Sequence, residues 1–123
     1  MKALLFAFLF SALTLCAADM SGKWAGTFEI KDAQGELHTV PAYLIIKEEN
    51  GKLTGSGGPN AQDQPGVLAG TVAANVLNFT IDHDGRIMKF RLTRDGDDLK
   101  GTIATESEGS TQTGVVTLVK VND

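Results

Sequence analysis

Residues 76–104 read VLNFTIDHDGRIMKFRLTRDGDDLKGTIA, and they hold the strongest structural signal in the chain. Apolar and polar residues alternate through this segment, which is the pattern of strands that bury one face. Asp84-Gly85 and the cluster Asp95-Gly96-Asp97 interrupt the alternation with residues that tolerate the positive φ of hairpin turns. The segment therefore predicts three antiparallel strands joined by two tight turns.

Each of these turns also predicts a register. A two-residue turn at Asp84-Gly85 pairs Phe79 with Phe90, Leu77 with Leu92 and Ile81 with Met88. A loop centred on Asp95 and Gly96 pairs Leu92 with Leu99, Phe90 with Gly101 and Met88 with Ile103. Both registers keep the apolar residues on one face, whereas a slip of one residue would bury charged side chains.

The same period-two pattern extends outward from this segment. After residue 20 no stretch keeps a 3.6-residue apolar period long enough to predict a helix. Asn50-Gly51 supplies another hairpin signal. The predicted strands span residues 23–30, 39–48, 52–57, 67–72, 76–83, 86–94, 98–104 and 112–121.

A short repeat combines an apolar residue with a Gly-Thr or Gly-Ser pair two positions later. It occurs around Gly26, Gly55, Gly70 and Gly101, and each glycine shares the face of the apolar residues. Inward glycines in strands indicate tight bends or facing large side chains, such as Phe90 over Gly101. Strongly coiled strands favour an all-β fold, a single eight-stranded antiparallel up-and-down β-barrel, which also leaves no exposed sheet edge. The copies are short and unevenly spaced, so chance Gly-Thr pairs remain the alternative.

The first 18 of the 123 residues predict a cleaved signal peptide. Lys2 precedes the apolar residues 3–15, and Cys16-Ala17-Ala18 offers small residues for cleavage before Asp19. Thirteen apolar residues are short for a membrane span, although an uncleaved anchor is the alternative. We therefore expect residues 1–18 to be the signal peptide and residues 19–123 to form one exported domain, periplasmic or extracellular.

Composition excludes several classes of function for the expected mature domain. Loss of Lys2 changes the formal net charge from -4 to -5, which disfavours nucleic-acid binding. No remaining apolar run predicts a membrane span. The only cysteine, Cys16, leaves with the signal, which removes disulfides and cysteine catalysis. No convergent acid, base and nucleophile set is visible, so we expect no enzyme activity, no cofactor and no metal.

Loop lengths place a candidate binding site at one end of the predicted barrel. The connections 31–38, 58–66, 84–85 and 105–111 fall at one end, and three of them are long, whereas short turns close the other end. Trp24 is expected to pack across the closed end. The candidate ligand-binding residues are Phe28, Leu44, Ile46, Phe79, Met88 and Phe90 as an apolar floor, with His83 and Arg86 at the rim. The alternative is a barrel filled solid by the same side chains, with His83 and Arg86 as solvated turn residues.

Two outward features point to partners. Lys89, Arg91 and Lys100 form a basic stripe where an anionic partner could dock, or a solvated face paired with Asp98 and nearby acids. Tyr43 and Ile45 have the outward parity of their strand, which indicates a partner surface or an error in its register. We expect a monomer or a weak homodimer.

Ser21-Gly22-Lys23-Trp24 resembles the Gly-x-Trp start of the calycins, which include lipocalins, fatty-acid-binding proteins and avidins. Gly51-Lys52-Leu53-Thr54-Gly55 is similar to a segment of the avidin group. Trp24 is alone, however, and Ala25-Gly26-Thr27 supplies no asparagine for an avidin-type biotin site. The overall likeness is to small exported bacterial barrels of the lipocalin-like type, and some calycin-like barrels inhibit secreted proteases.

These observations lead to two expectations about function. The first is an exported, non-catalytic protein that holds a small, partly apolar or amphipathic ligand at the loop-rich end. The alternative is a protein-interaction module, such as a secreted-hydrolase inhibitor or an envelope component, which uses a solid barrel as a scaffold.

Overall fold

Eight antiparallel strands form a closed up-and-down barrel in the computed structural model, which describes residues 19–32, 34–107 and 109–121. The strands are β1 (Gly22–Lys31), β2 (Leu37–Glu49), β3 (Lys52–Gly58), β4 (Gly66–Ala73), β5 (Val76–His83), β6 (Arg86–Asp95), β7 (Asp98–Ser107) and β8 (Ser110–Lys120). Each strand pairs with the next, and β8 pairs with β1 to close the sheet. This confirms the predicted fold class. The predicted signal peptide, residues 1–18, lies outside the described residues.

The residue types in the β2–β3 and β5–β6 turns explain why these turns are tight. Asn50 and Gly51 have φ values of 52° and 81°, and Asp84 and Gly85 have 55° and 85°. Two consecutive positive φ values match the twist of the flanking strands. The register predicted around Asp84-Gly85 is confirmed, because Phe79 pairs with Phe90.

No helix among the described residues is long and apolar enough to cross a membrane.

The register predicted between the sixth and seventh strands is wrong by two residues. Asp95 pairs with Asp98, so the turn consists of Gly96 and Asp97. Leu92 therefore faces Gly101, and Phe90 faces Ile103. Only Gly96 has a positive φ, 63°, which selects a turn with glycine first rather than an Asp-Gly turn. A shift of two residues preserves the inward parity, so the apolar pattern alone could not detect it.

The long loop predicted at residues 105–111 is also wrong. β7 continues to Ser107 and β8 begins at Ser110, and these two residues pair. Polar residues 105–107 and 110–113 therefore extend the strands instead of forming a loop. The end of the barrel opposite Trp24 consequently carries two long connections, at 32–36 and 59–65.

The glycines of the short repeat lie where neighbouring strands approach closely. A Cβ added at Gly101 would overlap the carbonyl oxygen of Arg91 on β6. One added at Gly70 would overlap the backbone of β5 at Asn78 and Phe79. The expectation that Phe90 covers Gly101 is wrong, because the backbone of β6, not an aromatic ring, occupies that space. These glycines permit the tight coiling of a small barrel.

Inward side chains fill the interior from the closed end to the middle of the barrel. Among the described residues, sixteen buried apolar residues form the core, including Leu53, Leu68, Leu77, Leu92, Leu99, Val116 and Leu118. No side-chain nitrogen or oxygen of the described residues is buried without a hydrogen-bond partner. The interior at this level is therefore packed and apolar, and it does not form a channel.

Trp24 lies at the closed end, and its side chain is fully buried. Its Nε1 donates a hydrogen bond to the carbonyl oxygen of Met20, at 3.2 Å. The Arg94 guanidinium lies 5.2 Å from the ring centroid, and the Lys120 ammonium lies 5.9 Å from it. Two cations over the indole stabilise this closure by cation–π attraction.

The segment that precedes β1 completes this closure. Met20 is fully buried, and its backbone N–H donates to Oε1 of Glu48 at 2.8 Å. Arg94 donates from Nη1 to the carbonyl oxygen of Asp19 at 2.8 Å. Met20 thus acts as a plug beneath Trp24, held by β2 on one side and by β6 on the other.

Candidate functional site

The open end of the barrel is shaped by the loop at 59–65, which connects β3 and β4. Asn60 Oδ1 accepts hydrogen bonds from the backbone N–H groups of Gln62 and Asp63, at 3.0 and 2.9 Å. Gln64 donates from Nε2 to the carbonyl oxygen of Tyr43 on β2, at 3.0 Å, and accepts from Ser56 Oγ on β3. The loop is therefore fixed to two strands and holds its shape without a ligand.

The other long connection, residues 32–36, is organised by Asp32. Oδ1 of Asp32 accepts from the backbone N–H groups of Gln34 and Glu36, each at 2.9 Å. Oδ2 of Asp32 lies 2.8 Å from Nε2 of His38. The hydrogen bond to His38, followed by those to the backbone, lowers the pKa of Asp32. The same contact raises the pKa of His38 above its usual 6.5.

Asp32, Glu36 and His38 also form the cluster of potential metal ligands that the described residues contain. One ligand atom from each lies within 4.8 Å of the others. The sequence alone does not reveal this group, because its members are spread across a connection whose shape the residue pattern does not predict. Asp32 of the connection and His38 at the start of β2 already form a hydrogen bond with each other at the exposed surface, so the cluster by itself carries no metal assignment.

A cavity of about 330 Å³ lies at the open end, above the packed interior and beside the 59–65 loop. Its apolar walls come from the open ends of β1, β2, β5 and β6, together with the 59–65 loop. The lining residues are Phe28, Ile30, Val40, Pro41, Gly57, Gly58, Pro59, Pro65, Gly66, Ile81, His83 and Met88. His83 is the titratable side chain among them, and it lies at the rim.

Glycines create the floor of this cavity on the side of β3 and β4. Gly57 and Gly66 pair with each other across the two strands, and both are buried. A Cβ added at Gly66 would overlap the side chain of Ile81, and one added at Gly57 would lie 2.9 Å from Ile81 and from Leu44. Because neither residue has a side chain, Ile81 reaches across and forms the apolar floor.

The structure separates the sequence-predicted site residues into three groups. Phe28, His83 and Met88 line the cavity. Leu44, Ile46, Phe79 and Phe90 lie below it as buried core residues, and the rings of Phe79 and Phe90 are 4.7 Å apart between centroids. Arg86 pairs with His83 across the β5–β6 turn but is exposed and does not line the cavity.

Several lining residues escaped the sequence analysis. The alternation gives Ile81 an inward position two residues before His83, but it does not distinguish this residue as part of the cavity floor. Pro59 and Pro65 mark the two ends of a connection that the sequence predicts correctly as long. Proline at both ends of a loop beside a predicted cavity is the signal that could have identified this wall.

The outward features can be placed as well. Tyr43 and Ile45 lie on the outer face of β2, and both are half-buried. The β2–β3 register predicted from Asn50-Gly51 is confirmed, because Glu49 pairs with Lys52.

Comparisons of the chain with protein-family models, with curated proteins and with solved structures find no match.

Proposed function

We propose that this protein is an exported, non-catalytic binding protein that holds a small, partly apolar ligand at the loop-rich end of its barrel. The proposed export follows from the signal-like residues 1–18. The Gly-x-Trp start, with Trp24 buried at the closed end, supports a lipocalin-like barrel of the calycin type.

The cavity is the observation that carries this proposal. Its volume of about 330 Å³ lies at the lower end of the range of small-molecule sites. Its walls are apolar, and the imidazole of His83 supplies a polar group where a ligand would enter. Since the 59–65 loop beside the cavity is held by hydrogen bonds to β2 and β3, little ordering of this wall is required on binding, which favours affinity.

Binding without catalysis is the better reading of this lining. His83 is the one side chain of the set with an acid–base group. General acid–base or nucleophilic catalysis requires a second convergent group within hydrogen-bond distance of a reacting atom. The lining residues offer no such group, so they fit a site that encloses a ligand and leaves it unchanged.

A protein-interaction module is the second candidate. The filled interior below the cavity and the exposed apolar side chains near the open end support it. Val67 is 64% exposed and Leu37 is 53% exposed. In this alternative the open end binds a partner protein, and the cavity is too shallow to retain a ligand.

A paired substitution distinguishes these candidates. Val40 lines the cavity at 40% exposure, so Val40→Trp places an indole across it at little cost to folding. Val67→Trp adds the same indole at the same end but outside the cavity. The protein from an exporting host is examined by native mass spectrometry for a retained ligand, and then titrated with anilinonaphthalenesulfonate, an apolar dye that carries one anionic group.

We expect the dye to bind the unmodified protein and to bind Val40→Trp at least about tenfold more weakly, because the indole fills the site. Val67→Trp should bind the dye as the unmodified protein does. Equal affinities in all three proteins, or no dye binding together with a ligand-free native mass, would overturn the proposal in favour of the interaction module.

A further inference from the structure

The outer face of the barrel carries a basic patch, which we define as Lys89, Arg91 and Lys100. Lys89 and Arg91 are two residues apart on β6, so their Cα atoms are about 7 Å apart. Lys100 lies on the adjacent strand, opposite Thr93. All three side chains are exposed, and none forms an ion pair with a described carboxylate. The predicted pairing with Asp98 does not form.

The patch occupies a band across the middle of β5, β6, β7 and β8 in which the outward residues carry no negative charge. The other outward positions there are Val76, Asn78, Thr80, Thr93, Thr102, Ala104, Thr113, Val115 and Thr117. Acidic residues lie beyond both ends, with Asp82 and Glu106 toward the open end and Asp95 and Asp98 toward the closed end. A chain with a net charge of -4 therefore presents one local region of positive potential.

A shallow depression of about 300 Å³ adjoins the patch at Lys89. Small residues at positions 69 and 70 of β4 lower the surface there, and Asn78 and Thr80 of β5 lie between them and Lys89. An amide and a hydroxyl therefore stand beside an ammonium group at the edge of a recess. This combination can hydrogen-bond a polar ring that also carries an anionic group.

We propose that the basic patch and its depression form a binding surface for a linear acidic polysaccharide of uronate type. Lys89 and Lys100 lie at opposite ends of the patch, because Lys89 pairs with Ala104, four residues along β7 from Lys100. A chain with one carboxylate on each sugar presents a row of anions that can contact all three cations at once. The hydroxyl and amide groups around the cations match the hydroxyl-rich edges of sugars. The surface lies outside the barrel and does not depend on the cavity at the open end.

An anionic membrane fits these observations less well. Stable attachment to a lipid surface requires an inserted apolar element or a larger number of basic residues. The exposed apolar side chains of this wall, Ile87, Val115 and Val119, are aliphatic and stand on a convex barrel surface at the margins of the patch. The acidic residues at both ends of the wall would also approach a flat anionic surface and be repelled by it.

An acidic protein partner fits less well for a different reason. The energetic centre of a protein interface is usually an aromatic or a large apolar side chain. Trp24, Phe79 and Phe90 are buried inside the barrel, and Phe28 packs against the core. The outward positions around the patch contain no aromatic residue, and most of them are threonine or asparagine, which suit a hydroxylated polymer.

The test uses oligosaccharides of polygalacturonate, titrated calorimetrically into the protein at low and at physiological salt. Lys89→Gln/Arg91→Gln removes two charges from the patch. Lys47→Gln/Lys52→Gln removes two exposed charges from β2 and β3 and is the matched control. We expect the patch variant to bind about tenfold more weakly, as two lost ionic contacts imply, and the control to bind normally. Affinity should also fall as salt rises.

Several outcomes would overturn the proposal. These are absence of polygalacturonate binding at low salt, equal weakening in both double variants, and capture by phosphatidylglycerol vesicles or by polyglutamate but not by polygalacturonate. Neutral dextran of similar length must not bind. Far-UV circular dichroism and urea unfolding of each variant establish that the barrel is unchanged. The substituted residues are all exposed, so folding should be preserved.

Discussion

At Gly101 the backbones of β6 and β7 approach so closely that no side chain fits between them. A Cβ on this residue would overlap the Arg91 carbonyl oxygen and would lie 2.8 Å from Cα of Leu92. Because the obstacle is backbone, it cannot rotate away. We expect Gly101→Ala to lower the free energy of unfolding by about 2 kcal/mol, the usual effect of forcing backbone shifts in a packed structure. Urea denaturation at 25 °C measures this change.

Thr102→Ala is the control for this experiment, since Thr102 is exposed on the outer face of the same strand. Its effect should remain within about 0.5 kcal/mol. If Gly101→Ala is as stable as the unmodified protein, then β6 and β7 can separate at this position. That result would contradict the close approach of their backbones. The alanine variant is the informative one, because a ring at Phe90 would tolerate a methyl group and a backbone would not.

Gly101 also shows how much of the structure can be predicted from the residues around one position. The inward parity of Gly101 follows from the alternation around it, and the structure confirms this parity. Its opposing group could not be predicted, because strand coiling depends on the whole closed sheet and not on local residues. The alternation likewise placed Phe28 and Met88 inside the barrel. It could not rank inward residues by depth, so Phe79 and Phe90 were predicted to contact ligand although they belong to the core.

Among the elements, the turns at the closed end are the most informative. Each hairpin turn there accepts a backbone hydrogen bond from a neighbouring strand. Val72 N–H donates to Gly51, Arg94 N–H to Asn75, and Lys120 N–H to Asp97, with distances of 2.8–2.9 Å. The turns therefore form a continuous rim, and the geometry of any one turn is held by the next hairpin.

One turn of this rim contains an unfavourable residue. Ala74 has a φ of 56°, in the left-handed region that disfavours residues with a Cβ. Glycine removes this cost but has more freedom in the unfolded chain, so the two effects partly offset each other. We expect Ala74→Gly to raise the free energy of unfolding by about 0.5 kcal/mol, measured by urea denaturation.

The neighbouring alanine provides the control. Ala73 ends β4, pairs with Val76 and has no positive φ, so Ala73→Gly should lower stability by about 0.5 kcal/mol. Changes of the same sign in both variants would contradict the assignment of strain to Ala74. The sequence predicted this turn but not its strain, because alanine carries no signal for a positive φ. The wrong register predicted between β6 and β7 has a related cause, because either Asp95-Gly96 or Gly96-Asp97 could occupy the turn.

Across the whole molecule, stability and the candidate site lie at opposite ends. The closed end combines the Trp24 closure, the Met20 plug and the hydrogen-bonded rim of turns. The open end has two long loops, an apolar cavity and His83 at its edge. Loop lengths predicted this polarity correctly for 32–36 and 59–65. The cavity itself could not be predicted, because it arises from Gly57 and Gly66, which allow Ile81 to reach across the barrel.

Because the stabilising closure and the candidate site lie at opposite ends, we expect substitutions of Met20 and Met88 to have different effects. Met20 is fully buried at the closed end, whereas Met88 is half-buried and lines the cavity. Met20→Ala should lower the free energy of unfolding by about 2–3 kcal/mol, because it leaves a void beneath Trp24, and should leave affinity for anilinonaphthalenesulfonate unchanged. Met88→Ala should cost less stability and change that affinity. Urea unfolding followed by Trp24 fluorescence and dye titration measure both. Similar effects of the two variants on dye affinity would contradict the assignment of stability to the closed end and of ligand binding to the open end.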